Sequence, residues 1–460
     1  MLLIIVQTCL RGIYSCHWNS PSSMRRKVFA LLHFALGEPL DLHWLHKVFL
    51  FLGLLIVTLG TAGMSKEWKE EWKTVHMSFQ ATAPFLQLSA VVALTLISWL
   101  VFQSYHRAKT AACKVFIMVT FLAVSAVVFL CPLVICSPCI TNNLPPKPAL
   151  VGHRGAPMLA PENTMMSFRR SVECDVVAFE TDVQLSKDMK PFLMHDTNSN
   201  FLLRTTDVKN RFLDRDNYMH TNFTLQELKM LNAGEWFLKT DPFWTVSSLS
   251  EEEKVQAKDQ TVPMLLELLV MAKEHNVSII FDLKNEKNST EFYNSDSYYT
   301  VETIKKSGIS PDKIWWLPPV YRHNVSKIAP GFQQVYDNVS EMDANGGSFL
   351  NVKYSSLSAR NISELREKNV SVNLWVVNER WLFSLLWCSG ASSVTTNACH
   401  LFQNMSWPDW HLKPNQYMCL WISADVISML MLFGLFLLQK KRNRVFHQST
   451  WERSVPLLAL

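Results

Sequence analysis

Four apolar runs set the outer limits on what this chain can become. They occupy residues 48–65, 77–105 (spanning core at 82–104), 115–136 and 416–439, and the single acidic or basic residue among them is Asp425. A helix crosses about 30 Å of hydrocarbon with roughly 20 apolar residues, so each run is long enough to span a bilayer. Buried core helices are the competing reading, but four such runs with polar flanks are hard to house in a soluble core. Composition agrees: of 460 residues, 48% are hydrophobic and 18% charged, where soluble domains carry about 25% charge. Gly at 14 and Pro at 20 are too few, and aromatics at 12% too many, for a disordered or fibrous chain.

Charge is unevenly spread. Residues 1–147 hold 12 Lys/Arg against 5 Asp/Glu, residues 148–410 hold 26 against 32, and residues 411–460 hold 6 against 2. An acidic globular part argues against a nucleic-acid partner. The basic clusters order the membrane segments instead. Lys440, Lys441, Arg442 and Arg444 follow the last run, Arg107, Lys109 and Lys114 separate the second and third, and Arg25, Arg26 and Lys27 precede the first. Positive residues stay cytoplasmic. This predicts an N-terminal membrane region over 1–147 with about three spanning helices, an extracellular or lumenal domain over 148–410, a transmembrane helix over 416–439 and a cytoplasmic tail over 440–460. The segment 28–36 is expected to lie at the interface. Asn-x-Ser/Thr sequons begin at Asn222, Asn276, Asn288, Asn324, Asn338, Asn361, Asn369 and Asn404, all on the side assigned outside. Their confinement predicts a glycoprotein of the plasma membrane or a secretory-pathway membrane. Asp425 is expected to meet a polar group of another helix, or to precede the start of the span, rather than to be a functional carboxyl. Cys136 and Cys139 suggest a local disulfide or two thiols, and Cys174, Cys388 and Cys399 leave an odd count.

Residues 148–402 alternate short β-rich runs with helical periods. Strands are expected at 150–152, 176–185, 191–194, 277–283, 313–317, 349–352, 370–377 and 393–396. Helices are expected at 162–173, 224–231, 264–275, 298–306, 362–368 and 381–387. Thr224 with Glu227 three residues on reads as a capping box. About eight βα units in this length predict an α/β fold, a TIM (β/α)8 barrel flanked by transmembrane helices; an open doubly wound sheet is the competing architecture.

In a barrel, chemistry gathers at the C-terminal ends of strands. There stand His153 and Arg154, Glu180 and Asp182, His195 and Asp196, Asp282 and Lys284, and later Asn378. Two histidines at separate strand ends suit an acid/base pair. Glu180 and Asp182, at i and i+2, share one strand face. Like charges so placed call for a cation between them; Asp282 offers a third oxygen ligand and His195 an alternative one, for Mg2+ or Ca2+. Arg154 and Lys284 suit a phosphate oxygen. No nucleotide-binding glycine loop is present. Together these residues predict metal-assisted cleavage of a phosphodiester outside the cell.

Further residues extend the pattern: Gly152-His-Arg-Gly-Ala-Pro157, Pro161-Glu-Asn-Thr164, Ser167-Phe168, Glu180-Thr-Asp-Val183, Met194-His-Asp196, Leu203-Arg-Thr-Thr206, Val262-Pro263, Leu266-Glu267, Phe281-Asp-Leu-Lys284 and Trp375-Val-Val-Asn378. The set resembles the glycerophosphodiester phosphodiesterase family over about residues 148–400, and the flanking helices look like its multi-pass transmembrane branch. The resemblance implies hydrolysis of glycerophosphodiesters to glycerol 3-phosphate plus an alcohol, or to glycerol plus a phosphorylated headgroup. It implies acid/base roles for His153 and His195, metal binding by Glu180, Asp182 and Asp282, and phosphate binding by Arg154 and Lys284. Glu162 and Trp375 would support the site. Four departures stand out: Asp282 where many members carry Glu, Met189 where a turn Gly is usual, Asn397 where a late Asp is common, and fewer expected spanning helices before the domain than the multi-pass branch usually shows. A second reading from another class is a catalytically weak ectodomain serving as a receptor or interaction module. Headgroup and oligomeric state stay open.

Overall fold

The computed structural model describes residues 44–67, 69–197, 201–283 and 291–454. Lys284, Asn288, Arg25–Lys27 and the segment 28–36 lie outside these. The chain divides into two units, residues 1–142 with 412–460, and residues 143–411.

The second unit is a strand–helix alternation. Its strands are β1 (Ala149–His153), β2 (Ala178–Leu185), β3 (Pro191–Leu193), β4 (Ser278–Leu283), β5 (Ile314–Trp316), β6 (Gln333–Gln334), β7 (Phe349–Lys353), β8 (Ser371–Trp375) and β9 (Ser393–Thr396). Hydrogen bonding runs β6-β5-β4-β2-β1-β9-β8-β7, all parallel, with β3 antiparallel on β2. Beyond β6, Tyr336 bridges in parallel to Leu350 of β7. Its N–H donates to Phe349 O (3.0 Å) and its carbonyl accepts from Asn351 N (2.7 Å), so the ring closes into the expected (β/α)8 barrel. Val151, Ala178, Ile280, Val335 and Phe349 fill the interior, with Trp315 and Leu317 against them. These come from six different strands or strand extensions, as inward positions must at a strand period of two.

Local sequence accounts for the helices around it. Thr164 caps Met165–Glu173 by accepting from Ser167 N, and Thr224 and Glu227 form the expected capping box on Leu225–Lys229. Gly390 at φ +89° ends Arg380–Ser389. One strand, and one excursion apart from its capped helix after Thr224, carried no legible pattern. The two-residue β6 is polar, and residues 201–258 form a run of short helices between β3 and Leu265–Glu274. That excursion has its own core of Phe192, Leu202, Val208, Phe223, Leu228 and Leu231. Met189 keeps the left-handed conformation of a glycine turn, φ +56°.

Cys174 is bonded to Cys399, tying the end of one helix to the start of another 225 residues away. Cys113, Cys139 and Cys388 are each engaged in a disulfide too, whereas Cys136 is free and exposed. The expectation of a local Cys136–Cys139 bridge, or of two thiols there, is thus corrected: Cys139 is committed elsewhere.

Among the described residues of the first unit three helices are long and apolar enough to cross a membrane: Trp72–Arg107, Ala111–Leu133 and Pro414–Val445. The run at 48–65 lies within the helix Trp44–Glu67, whose described apolar stretch is the shorter Phe51–Met64. Polar contacts link the long helices, as they do between helices that pack in lipid. Thr95 and Ser428 hydroxyls are 2.7 Å apart, and Asn443 donates to His106 O (3.2 Å). Asp425 is buried and faces Gln87, which meets the expectation of a polar neighbour on another helix.

Candidate active site

The site is assembled by register. In β1 and β2, His153 lies level with Glu180; in β2 and β4, Asp182 lies level with Asp282. Glu180, Asp182 and Asp282 therefore converge at one rim, each offering an oxygen within 4.8 Å of the others. Asp182 is 1% exposed. A buried carboxylate must be paired or bound to a cation. Three carboxylates give the hard-oxygen donor set that Mg2+ or Ca2+ takes, so the residues present fit a divalent ion.

The loop after β1 delivers the basic groups. Arg154 and Gly155 both turn left-handed, at φ +55° and +89°. This folds the loop back onto the start of Met165–Glu173, where Ala156 N donates to Ser167 O at 3.1 Å and Ser167 Oγ at 2.8 Å. Arg154 N then donates to Glu180 Oε2 (3.0 Å). Its guanidinium lies 3.3 Å from both Glu162 and Asp182. Burial alone would lower the Arg154 pKa, but Asp182, Glu162 and Glu180 outweigh it and hold it above the usual value.

His153 presents Nε2 at 3.9 Å from Glu180 Oε2, while Nδ1 is 2.6 Å from Asn397 Oδ1. Burial, reinforced by Arg154, lowers its pKa to about 4, so the imidazole is neutral at pH 7. His195 stands just past β3. Its Nδ1 is 2.8 Å from Asp196 Oδ1, and Arg204 Nε donates to Asp196 Oδ2 at 2.6 Å. Arg204 also contacts Glu162. A continuous chain of charges thus joins His195 to Arg154 through Asp196, Arg204 and Glu162. Asp196 is pulled down to about 2: burial opposes this, but hydrogen bonds from His195 and Arg204 win. His195 and Glu162 line a common recess with Asn163 and Thr205. Trp375 ends β8 on the same rim, 38% exposed.

Sequence reasoning left several roles unassigned. Asn163, left-handed at φ +52°, donates to Asp182 Oδ2 (3.0 Å) and accepts from Thr181 Oγ1 (3.1 Å), aiming the carboxylate. Its signal was an Asn in a tight turn. Gln184 donates to Met194 O (3.1 Å) and Asp196 O (2.8 Å), holding the segment that carries His195. Arg204 lay in a quoted motif without a role.

A closed (β/α)8 barrel with this rim defines a class, the phosphoric diester hydrolases. The model of the glycerophosphoryl diester phosphodiesterase family matches residues 153–316. The chain is 45% identical over 414 residues to mouse glycerophosphoinositol inositolphosphodiesterase GDPD2, covering 89% of this chain and 76% of that one. It is 40% identical over 420 residues to human glycerophosphodiester phosphodiesterase domain-containing protein 5, covering 90% and 69%. A solved Oleispira antarctica phosphodiesterase in complex with its product sn-glycerol-3-phosphate aligns with TM-score 0.45 and 21% identity over 56% of this chain and 95% of that one. The chain belongs to the glycerophosphoryl diester phosphodiesterase family. It is a phosphodiesterase that hydrolyses glycerophosphodiesters.

Proposed function

We propose that the chain hydrolyses glycerophosphodiesters on the outer side of a membrane, with glycerophosphoinositol as the first substrate to offer. The substrate choice draws on the activity named for the mouse relative. The observation that carries the mechanism is the convergence of Glu180, Asp182 and Asp282 within 4.8 Å beside a neutral His153 whose Nε2 faces them. A bound Mg2+ or Ca2+ would polarise a phosphoryl oxygen there. Arg154, anchored between Glu162 and Asp182, keeps positive charge at the phosphate's approach; Lys284, two residues after Asp282 in sequence, is its expected partner. His153 Nε2 takes the proton of the attacking hydroxyl, and His195, steadied by Asp196, serves the leaving oxygen. Glu162 ties the two halves of the rim together.

The outward orientation is supported by the basic clusters beside the spanning helices and by the sequons. Asn222, Asn276, Asn324, Asn338, Asn361, Asn369 and Asn404 are all exposed, as glycan acceptors must be.

Purified full chain should release product from glycerophosphoinositol with Mg2+ or Ca2+ and not with chelator. Asp182→Asn or His153→Ala should each cut kcat by at least about 10²-fold. Full activity in both variants would refute the site. Glycosidase treatment should increase gel mobility; no change in protein from mammalian cells would refute the orientation.

A further inference from the structure

We infer that Asn397, backed by Asn378, is a positioning residue that sets which ring nitrogen of His153 carries the proton. The inference rests on the acid/base role proposed above for His153.

Three neighbouring strand ends supply the parts. β8 leads to Asn378, β9 to Asn397, and β1 ends at His153; β9 lies between the other two. Asn397 N donates to Asn378 Oδ1 at 2.9 Å, and Asn397 O accepts from Met158 N at 3.4 Å. Thr396 Oγ1 accepts from Ala398 N at 2.8 Å, so the backbone on both sides of Asn397 is held. Asn397 is 9% exposed and points its Oδ1 at His153 Nδ1, 2.6 Å away.

An amide oxygen only accepts. The hydrogen bond therefore requires Nδ1–H on His153 and leaves the lone pair on Nε2, the nitrogen that faces Glu180 and the carboxylate rim. The other tautomer would aim an N–H at the site, where a base needs a lone pair. Partners on one ring nitrogen routinely decide the state of the other. His195 reaches the same Nδ1 arrangement through a carboxylate, Asp196. His153 does so through a neutral amide, which adds no fourth negative charge beside Glu180, Asp182 and Asp282.

Substitution can separate acceptor from donor. Asn397→Asp keeps an oxygen at the same place and removes the amide N–H2; Asn397→Ala removes both. In metal-loaded full-length protein with glycerophosphoinositol, Asn397→Ala should lower kcat about 10- to 100-fold with KM within about 3-fold, and Asn397→Asp should restore kcat to within about 5-fold of wild type. A purely structural role would lower the melting temperature and yield but leave the kcat of the folded fraction unchanged. Should Asn397→Ala not fold, Asn378→Ala removes the support one step back and should lower kcat by several-fold at unchanged KM. A cleaving wild type with Asn397→Ala, or in its place Asn378→Ala, at wild-type kcat overturns this inference alone. Asn397→Asp as impaired as Asn397→Ala also overturns it, because the side chain would then act as donor. A folded, metal-loaded wild type that cleaves nothing overturns the proposed function and this inference with it.

Discussion

Replacing Gly155 by Ala tests how tightly the loop after β1 controls the site. Gly155 sits at φ +89°, and a Cβ built on it would lie 2.5 Å from both Ser167 C and Ser167 Oγ and 2.7 Å from Phe168 N. Two of these atoms are backbone at the start of Met165–Glu173, so no side-chain rotation relieves the overlap. The left-handed conformation costs an alanine about 1–2 kcal/mol, and forcing a methyl into packed structure adds about 1–3 kcal/mol. The expected destabilisation is about 2–5 kcal/mol if the loop holds. If it moves, His153 and Arg154 move with it, and a displacement of about 1 Å costs roughly 10²-fold in rate. The assay is kcat at saturating metal alongside the melting temperature. Gly346→Ala is the internal control: φ is +62° there too, but nothing lies within 4 Å of the added Cβ, so only the backbone cost applies and kcat stays unchanged. Gly155→Ala with wild-type kcat, and no less stable than Gly346→Ala, would refute the claim that close packing of this loop aims the catalytic groups.

Two further outcomes are expected. His153 titrates near 4 in the folded protein and near 6.5 unfolded, so the unfolded chain takes up its proton first as pH falls. In the metal-free protein the contribution of this residue is therefore full above pH 6.5 and declines toward pH 4, by up to about 3 kcal/mol, while Asp296, raised by burial to about 6, acts in the opposite sense. Burial also lowers the pKa of His220 and His400, so His153→Gln should flatten the slope only in part; denaturation over this pH range with an unaltered slope would refute the assignment. Separately, Cys174–Cys399 closes a loop of 225 residues, worth about 5 kcal/mol in unfolded-chain entropy. Cys174→Ser should lower the melting temperature sharply in non-reducing buffer, and an unchanged melting curve would show that the bond contributes little.

The barrel was legible where its pattern is periodic. Apolar runs at strand length, alternating with helical periods and cap signals such as Thr224 with Glu227, located every strand but β6. That strand is Gln333–Gln334, polar and two residues long; it exists because its backbone completes the ring between β5 and β7. Within the excursion over 201–258 only the capped helix after Thr224 was legible, since the other short helices, stabilised by a local cluster, leave little periodicity. Residues that gather at the rim were legible where an ionisable side chain closes a strand. Asn163 and Gln184, which only aim other groups, were not.

Asn397 shows where the division falls. Its departure from the family pattern is visible in the sequence, yet its partner His153 lies 244 residues earlier. Residue order by itself determined the spanning lengths, the charge asymmetry, the α/β alternation and the inventory of acids, bases and carboxylates, because these depend on composition and local period. Only the tertiary structure decided how closely the three expected carboxylates approach one another, which nitrogen of His153 faces them and which cysteines are bonded. Those depend on strand register and barrel closure, which bring together residues that have no local relation in the chain.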